Sequence, residues 1–177
     1  MLGAALLDEL MAHAWRPALV GTFGGWRCRY TDAFTRRANS VLALDAGDEW
    51  FDAYWSIESD RGRSDTDAIV CREYLLAPGR PMAFAAARHG TAVVGVGQIV
   101  IQRSWAGVQC MATSPSHRRQ GVGEAVLHEL GKEALRQRAE TMYLAVLGAN
   151  DAARGLYERA GFTAVHQYSY FTTDRAA

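Results

Sequence analysis

The sequence predicts an α+β domain: a mixed, mostly antiparallel central sheet flanked by helices. Three observations carry that expectation. Met82 to Arg88, Ala92 to Gln102 and Gly107 to Thr113 are β-prone runs separated by turn-like His89-Gly90 and Trp105-Ala106, which reads as consecutive antiparallel strands. Val122, Val126, Leu127, Leu130 and Ala134 then fall on one stripe, with Glu124, Glu129, Lys132, Glu133 and Arg136 off it, the pattern of a half-exposed helix. Strand, helix and strand follow, so a β-meander leads into an α-β-α-β tail.

The remaining elements are read in chain order. Leu2, Leu6, Leu7, Leu10 and Met11 suggest a short amphipathic helix ending near Pro17. Trp26, Cys28 and Tyr30 alternate with Arg27 and Arg29 as a strand would, and Ser40 to Leu44 is read as its return. Asp48 to Ile57 carries Trp50, Phe51, Tyr54 and Trp55 at helical spacing, which predicts a helix that packs aromatics into the core. Glu58 to Asp67 is polar and reads as a surface loop. Thr141 to Val146 is the next strand, Asn150 or Asp151 can cap a helix through Ala160, Gly161 stops it, and Thr163 to Phe171 closes the chain as a strand.

A length of 177 residues favours one domain, 1–177, large enough to fold without a disulfide or metal staple. Basic and acidic residues both number 19, so the net charge is zero and the broad positive field of a nucleic-acid binder is absent; no nucleic-acid partner is expected. Cys28, Cys71 and Cys110 are three, without close spacing, which argues for a reducing compartment. The five histidines lack ligand spacing, so no metal is expected, and His117 is best described as a surface histidine. Asp8 and Glu9 interrupt the N-terminal apolar stretch and no run approaches the ~20 residues of a membrane span, so a cytoplasmic protein with no membrane partner is expected.

The segment from Ser114 to Gly123, SPSHRRQGVG, joins a predicted strand to a predicted helix. Exposed N–H groups at a helix start carry partial positive charge, glycines let a ligand approach the backbone, and Arg118 and Arg119 add full charges, so a diphosphate is the natural guest. About thirty residues on comes Asn150 to Phe162, NDAARGLYERAGF. With these two segments in this order, residues 82–171 resemble the GNAT superfamily of acyl-CoA dependent N-acetyltransferases.

The resemblance implies acetyl-CoA as co-substrate. It assigns the diphosphate to Arg118, Arg119, Gln120, Gly121, Val122 and Gly123, the pantetheine arm to the strand around Met111, Ala112 and Thr113, and a further cofactor contact to Asn150. Tyr157 matches the tyrosine that lies beside the sulfur in many members and would protonate the departing thiolate. Residues 82–171 then form the acetyl-CoA-binding core, and residues 1–81 supply the elements facing the acceptor, a small-molecule or peptide amine. Direct attack by the amine needs no covalent enzyme intermediate, and Cys110 is read as a buried strand thiol.

Two departures stand beside the resemblance. Ala106 to Cys110 holds no carboxylate where many members carry a general base on a central strand, which leaves a non-catalytic acyl-CoA binding or sensing module as the alternative reading. One strand follows Gly161 where the family usually has two, so N-terminal strands or a partner chain, as in a homodimer, would occupy that edge. Between Asp45 and Asp67 eight carboxylates face two arginines, a local charge of −6 that reads either as a solvated face or as a field that draws a cationic amine.

Overall fold

The computed structural model of the protein describes residues 20–23, 26–29, 41–44, 48–58, 65–76 and 81–169. The expected N-terminal helix and the end of the expected last strand lie outside the described residues. β1 (Val20–Phe23) and β2 (Trp26–Arg29) form a separate antiparallel pair. The main sheet holds β3 (Val41–Leu44), β4 (Met82–His89), β5 (Ala92–Gln102), β6 (Trp105–Thr113) and β7 (Thr141–Leu144), hydrogen-bonded in that order. β3 to β6 are antiparallel neighbours, and β7 runs parallel to β6. A parallel pair needs a crossover, which α3 (Val122–Arg136) provides; α1 (Asp48–Glu58) and α2 (Asp65–Leu75) precede the sheet's central strands, and α4 (Asp151–Arg159) follows β7.

Side-chain alternation assigns each face of the sheet to its own helices. Ala85, Ala87, Ile99, Ile101, Ala106 and Val108 pack with Val126, Leu130, Leu156 and Tyr157 on the α3–α4 side. Phe84, Ala86, Val96, Cys110 and Ala112 pack with Trp50, Phe51, Tyr54 and Leu75 on the α1–α2 side. The expected aromatic helix is therefore α1. Its Trp50 stacks on Tyr54 at 5.5 Å between centroids and meets Phe84 edge-on at 4.8 Å. The Trp50 indole N–H donates to the carbonyls of both Ala85 and Gly97, each at 3.2 Å, which fixes α1 over the middle of the sheet.

Five expectations need correction. Ser40–Leu44 does not return on the Trp26 strand: Val41–Leu44 pairs with β4, where its backbone completes the edge of the larger sheet. Trp105 is not a turn residue, because Arg103, at φ +55, and Ser104 make the turn and Trp105 pairs with Gln102. The Ser104 carbonyl also accepts the N–H groups of Glu140 and Thr141, which aligns the start of β7 with the start of β6. Asp65–Asp67 is not loop but the first turn of α2, where acidic residues suit the positive end of the helix dipole and so mimic a loop composition. β7 ends at Leu144, two residues short of Val146. Residues 163–169 are exposed and form no strand, Val165 being 70% exposed: alternation alone does not make a strand when neither face is buried.

Gly97 is a point of close contact between layers. A Cβ there would lie 2.6 Å from Met111 Sδ, 2.7 Å from Val126 Cγ1 and 2.9 Å from Leu130 Cδ1. Overpacking of this kind costs about 1–3 kcal/mol. Gly97→Ala is expected to lower the denaturant midpoint accordingly while leaving the far-UV spectrum unchanged; an unaltered midpoint would show that the α3 layer yields freely.

Candidate functional site

The site begins where β6 and β7 part. Their ladder runs from Trp105↔Thr141 to Val108↔Leu144 and stops, whereas the ladder from β6 to β5 continues to Gly95↔Thr113. Gln109 to Thr113 therefore have a side that β7 does not cover. The cause is a one-residue bulge: β6 shifts register between Val96 and Gln98 of its partner, and Cys110 takes φ +54. Ahead of the bulge Ala106 and Val108 face α3, and beyond it Met111 does, while Cys110 and Ala112 face α1.

Met111, Ala112 and Thr113, the expected pantetheine strand, are all buried; the Met111 and Ala112 side chains belong to the two core layers, which leaves the backbone and the Thr113 hydroxyl to offer a ligand. Thr113 is 0% exposed, and its Oγ1 has no hydrogen-bond partner. A buried hydroxyl left in that condition costs free energy, and a polar group arriving beside it would recover it.

β6 then enters the loop. Ser114 N–H donates to Val94 O at 2.9 Å, a 3₁₀ turn spans Pro115–His117, and the Gln120 side-chain amide donates to Ser116 O at 3.1 Å. Arg119 at φ +64 and Gly121 at φ +80 curl the chain so that α3 starts without any side-chain cap. The first turn of a helix leaves its N–H groups without intrahelical acceptors, and Ala125 N–H to Gly121 O at 3.1 Å is where the ladder begins. Arg118, Arg119, Gln120 and Gly121 are exposed, while Val122 and Gly123 are buried. The helix start is thus anchored in the core and follows directly on two exposed arginines, an arrangement that attracts a phosphate-like anion.

Asn150 and Tyr157 occupy α4. Asn150 Oδ1 accepts Ala153 N–H at 3.2 Å and caps the helix. Tyr157 is 5% exposed, inside the same core layer as Val108 and Met111, with its ring edge-on to Phe162 at 5.9 Å. The structure so joins β6, the loop and α3 in direct succession, and sets Tyr157 in the core layer that β6 and α3 share. Reading from sequence missed two features of this region, the bulge at Cys110 and a contact between His89 and His117 at 3.2 Å. Neither has a local signal: a bulge is a register event between strands, and His89 ends a hairpin strand while His117 lies 28 residues on, in the loop entering α3.

The acidic segment is less charged in space than along the chain. Asp48 pairs with Arg72, and Glu49 pairs with Arg88 at 2.5 Å, both arginines lying outside the counted run. Glu58 is 1% exposed and is the one buried carboxylate among the described residues. Asp52 remains exposed on α1, and Asp45 and Asp60 lie outside the described residues.

Comparison with known proteins adds the following. The family model described as "Acetyltransferase (GNAT) family" matches residues 44–162. The [ribosomal protein bS18]-alanine N-acetyltransferase of Escherichia coli K12 is 38% identical over 66 residues, 36% of this chain and 45% of that protein. The chain thus spans under half the length of the curated relatives it matches. An aminoglycoside N-acetyltransferase, AAC(6')-Iy, solved in complex with CoA, superposes with a TM-score of 0.62 at 11% identity, covering 77% of this chain and 95% of that one. A structure described as a putative acyl-CoA N-acyltransferase from Klebsiella pneumoniae gives 0.59 at 21% identity, covering 76% and 90%.

Asn150 allows a structural role to be measured separately from any ligand role. Loss of an N-cap side chain costs about 0.5–2 kcal/mol. Asn150→Ala is expected to destabilise the ligand-free protein by that amount, with Asn150→Asp recovering most of it; full stability in the alanine variant would show that the cap contributes nothing.

Proposed function

The chain belongs to the GNAT acetyltransferase family, and from that premise we propose that it transfers the acetyl group of acetyl-CoA to a primary amine by direct attack. The observation that carries the proposal is the connection from β6 to α3. A strand with one side uncovered leads through Arg118 and Arg119 into a helix start shaped by Gly121, and Thr113 keeps a buried hydroxyl without a partner along the way. These features fit an elongated ligand with an amide-containing arm and a diphosphate. By this reading residues 82–171 are the cofactor half, residues 1–81 the acceptor half, and the protein works in the cytoplasm.

The co-substrate supplies an acetyl group activated as a thioester. Backbone N–H groups of Gln120 to Gly123, with Arg118 and Arg119, hold the diphosphate, and the uncovered side of Gln109–Thr113 holds the arm, so the carbonyl lies near the fork of β6 and β7. Immobilising both reactants supplies much of the rate by removing the cost of their encounter. The amine nitrogen bonds to the carbonyl carbon, a backbone donor at the fork steadies the oxygen as it gains charge, the carbon–sulfur bond breaks, and Tyr157 gives its proton to the sulfur. The amine's own proton leaves to water, or to Glu58, the carboxylate buried on the α1 face.

A primary amine is supported as acceptor by the relatives' names, since a protein N-terminal alanine and an aminoglycoside both present one. Exposed Asp52 on α1 favours a cationic acceptor, although the pairing of Asp48 and Glu49 reduces the field that the sequence suggested.

The test is free-thiol release from acetyl-CoA across a panel containing an N-terminal peptide, an aminoglycoside and a polyamine, together with calorimetric binding of CoA. Tyr157→Phe is expected to lower kcat about 10²-fold with little change in CoA affinity. The Arg118→Ala, Arg119→Ala double variant is expected to weaken CoA binding roughly tenfold or more at low salt, and less at high salt. Tight CoA binding with no turnover on any amine would instead favour a binding or sensing module, for which the lack of a carboxylate on β6 already speaks. Failure of CoA to bind would overturn both readings.

A further inference from the structure

Two imidazoles from distant segments meet beside the loop that enters α3. His89 ends β4 at the hairpin to β5, where Gly90 takes φ +62, and His117 ends the 3₁₀ turn ahead of Arg118. His89 Nδ1 and His117 Nε2 are 3.2 Å apart, with ring centroids at 5.2 Å and planes 64° from parallel. The other nitrogen of His117, Nδ1, lies 2.9 Å from Ser116 Oγ, which lies 3.0 Å from Ser114 Oγ.

The donor and acceptor roles along this chain follow from the tautomer. When His117 Nδ1–H donates to Ser116 Oγ, the Nε2 lone pair faces His89, and with the proton of His89 on Nε2 its Nδ1 lone pair converges on the same point. Two such lone pairs need a proton or a metal ion between them. Imidazole–zinc bonds of about 2.0–2.1 Å place two ligand nitrogens of one tetrahedral ion roughly 3.3 Å apart, close to the spacing found. An outer hydrogen bond that fixes ring orientation, as Ser116 does here, is the usual support of a ligating histidine.

The neighbouring charge permits a cation. Arg88, next in sequence to His89, is turned to Glu49 at 2.5 Å and to Thr91 O at 3.2 Å. Arg118 and Arg119 are exposed and therefore screened by solvent. Among the described residues no three His, Cys, Asp or Glu side chains gather as a metal cluster, so water would complete the coordination. Imidazole and water together select Zn²⁺, Ni²⁺ or Cu²⁺ over Mg²⁺ and Ca²⁺, which prefer oxygen donors throughout.

We propose that His89 and His117 chelate one borderline divalent transition-metal ion, of which Zn²⁺ is the representative, and that the ion clamps the β4–β5 hairpin to the loop entering α3. The site is independent of acetyl transfer, and its test does not use activity. The full chain, stripped of metal, is titrated with Zn²⁺ by calorimetry at neutral pH in a non-coordinating buffer, and Co²⁺ absorption reports ligand geometry. Saturable one-to-one binding is expected, weakened tenfold or more by His89→Gln and by His117→Gln, and unchanged by His128→Gln, which removes an exposed imidazole 3.9 Å from Glu129. At a hundredfold excess over Kd the melting temperature is expected to rise by about 5–10 °C in the parent and not in the double glutamine variant. Equal Zn²⁺ binding by the parent and that double variant, or no binding by either, would overturn the proposal and leave the contact as a shared proton.

Discussion

The extra residue at Cys110 is the constraint on which the site depends. A β-strand alternates its faces with a period of two, so inserting one residue exchanges every side chain beyond it. Here the exchange is absorbed without loss: Val108 and Met111 both face α3 although three positions apart, and Cys110 joins Ala112 on the α1 side. The geometry also ends the alignment of β6 with the parallel strand β7, so the last pair is Val108↔Leu144. One local backbone distortion thus keeps both cores filled while parting the last two strands of the described sheet. An unbroken β6 would send Cys110 and Ala112 to the α3 side and Met111 to the α1 side.

Much of this was legible in the sequence because its signals are local. The stripe from Val122 to Ala134 specifies a helix, Gly121 and Gly123 mark where backbone must stay bare, and Asn150 announces a cap. What stayed hidden depends on pairing between distant segments. Val41–Leu44 had two strands it could join, and nothing in its own residues says which. Residues 163–169 carry a strand's alternation but stay exposed and pair with no strand among the described residues. The start of α2 reads as a loop, because acids that favour a helix's first turn also favour solvent.

Charge shows the same limit. Counting from Asp45 to Asp67 gives a strongly negative run, yet Arg72 and Arg88, later in the chain, lie against Asp48 and Glu49. The arginines of the loop, by contrast, sit beside a helix start whose own dipole has the same sign, so their field adds to that of the backbone. The zero net charge is therefore a sum of a partly cancelled acidic region and a reinforced basic one.

Gly97 links the two layers through a single residue. Its carbonyl receives the Trp50 indole on one face, and its missing side chain makes room for Met111, Val126 and Leu130 on the other. No methylene separates the cores at this point, only the thickness of a peptide. A shift of α1 must therefore drag the strand against which α3 is packed, so the α1 layer and the α3 layer are coupled through one residue. The two layers form one mechanical unit, with a glycine as its pivot.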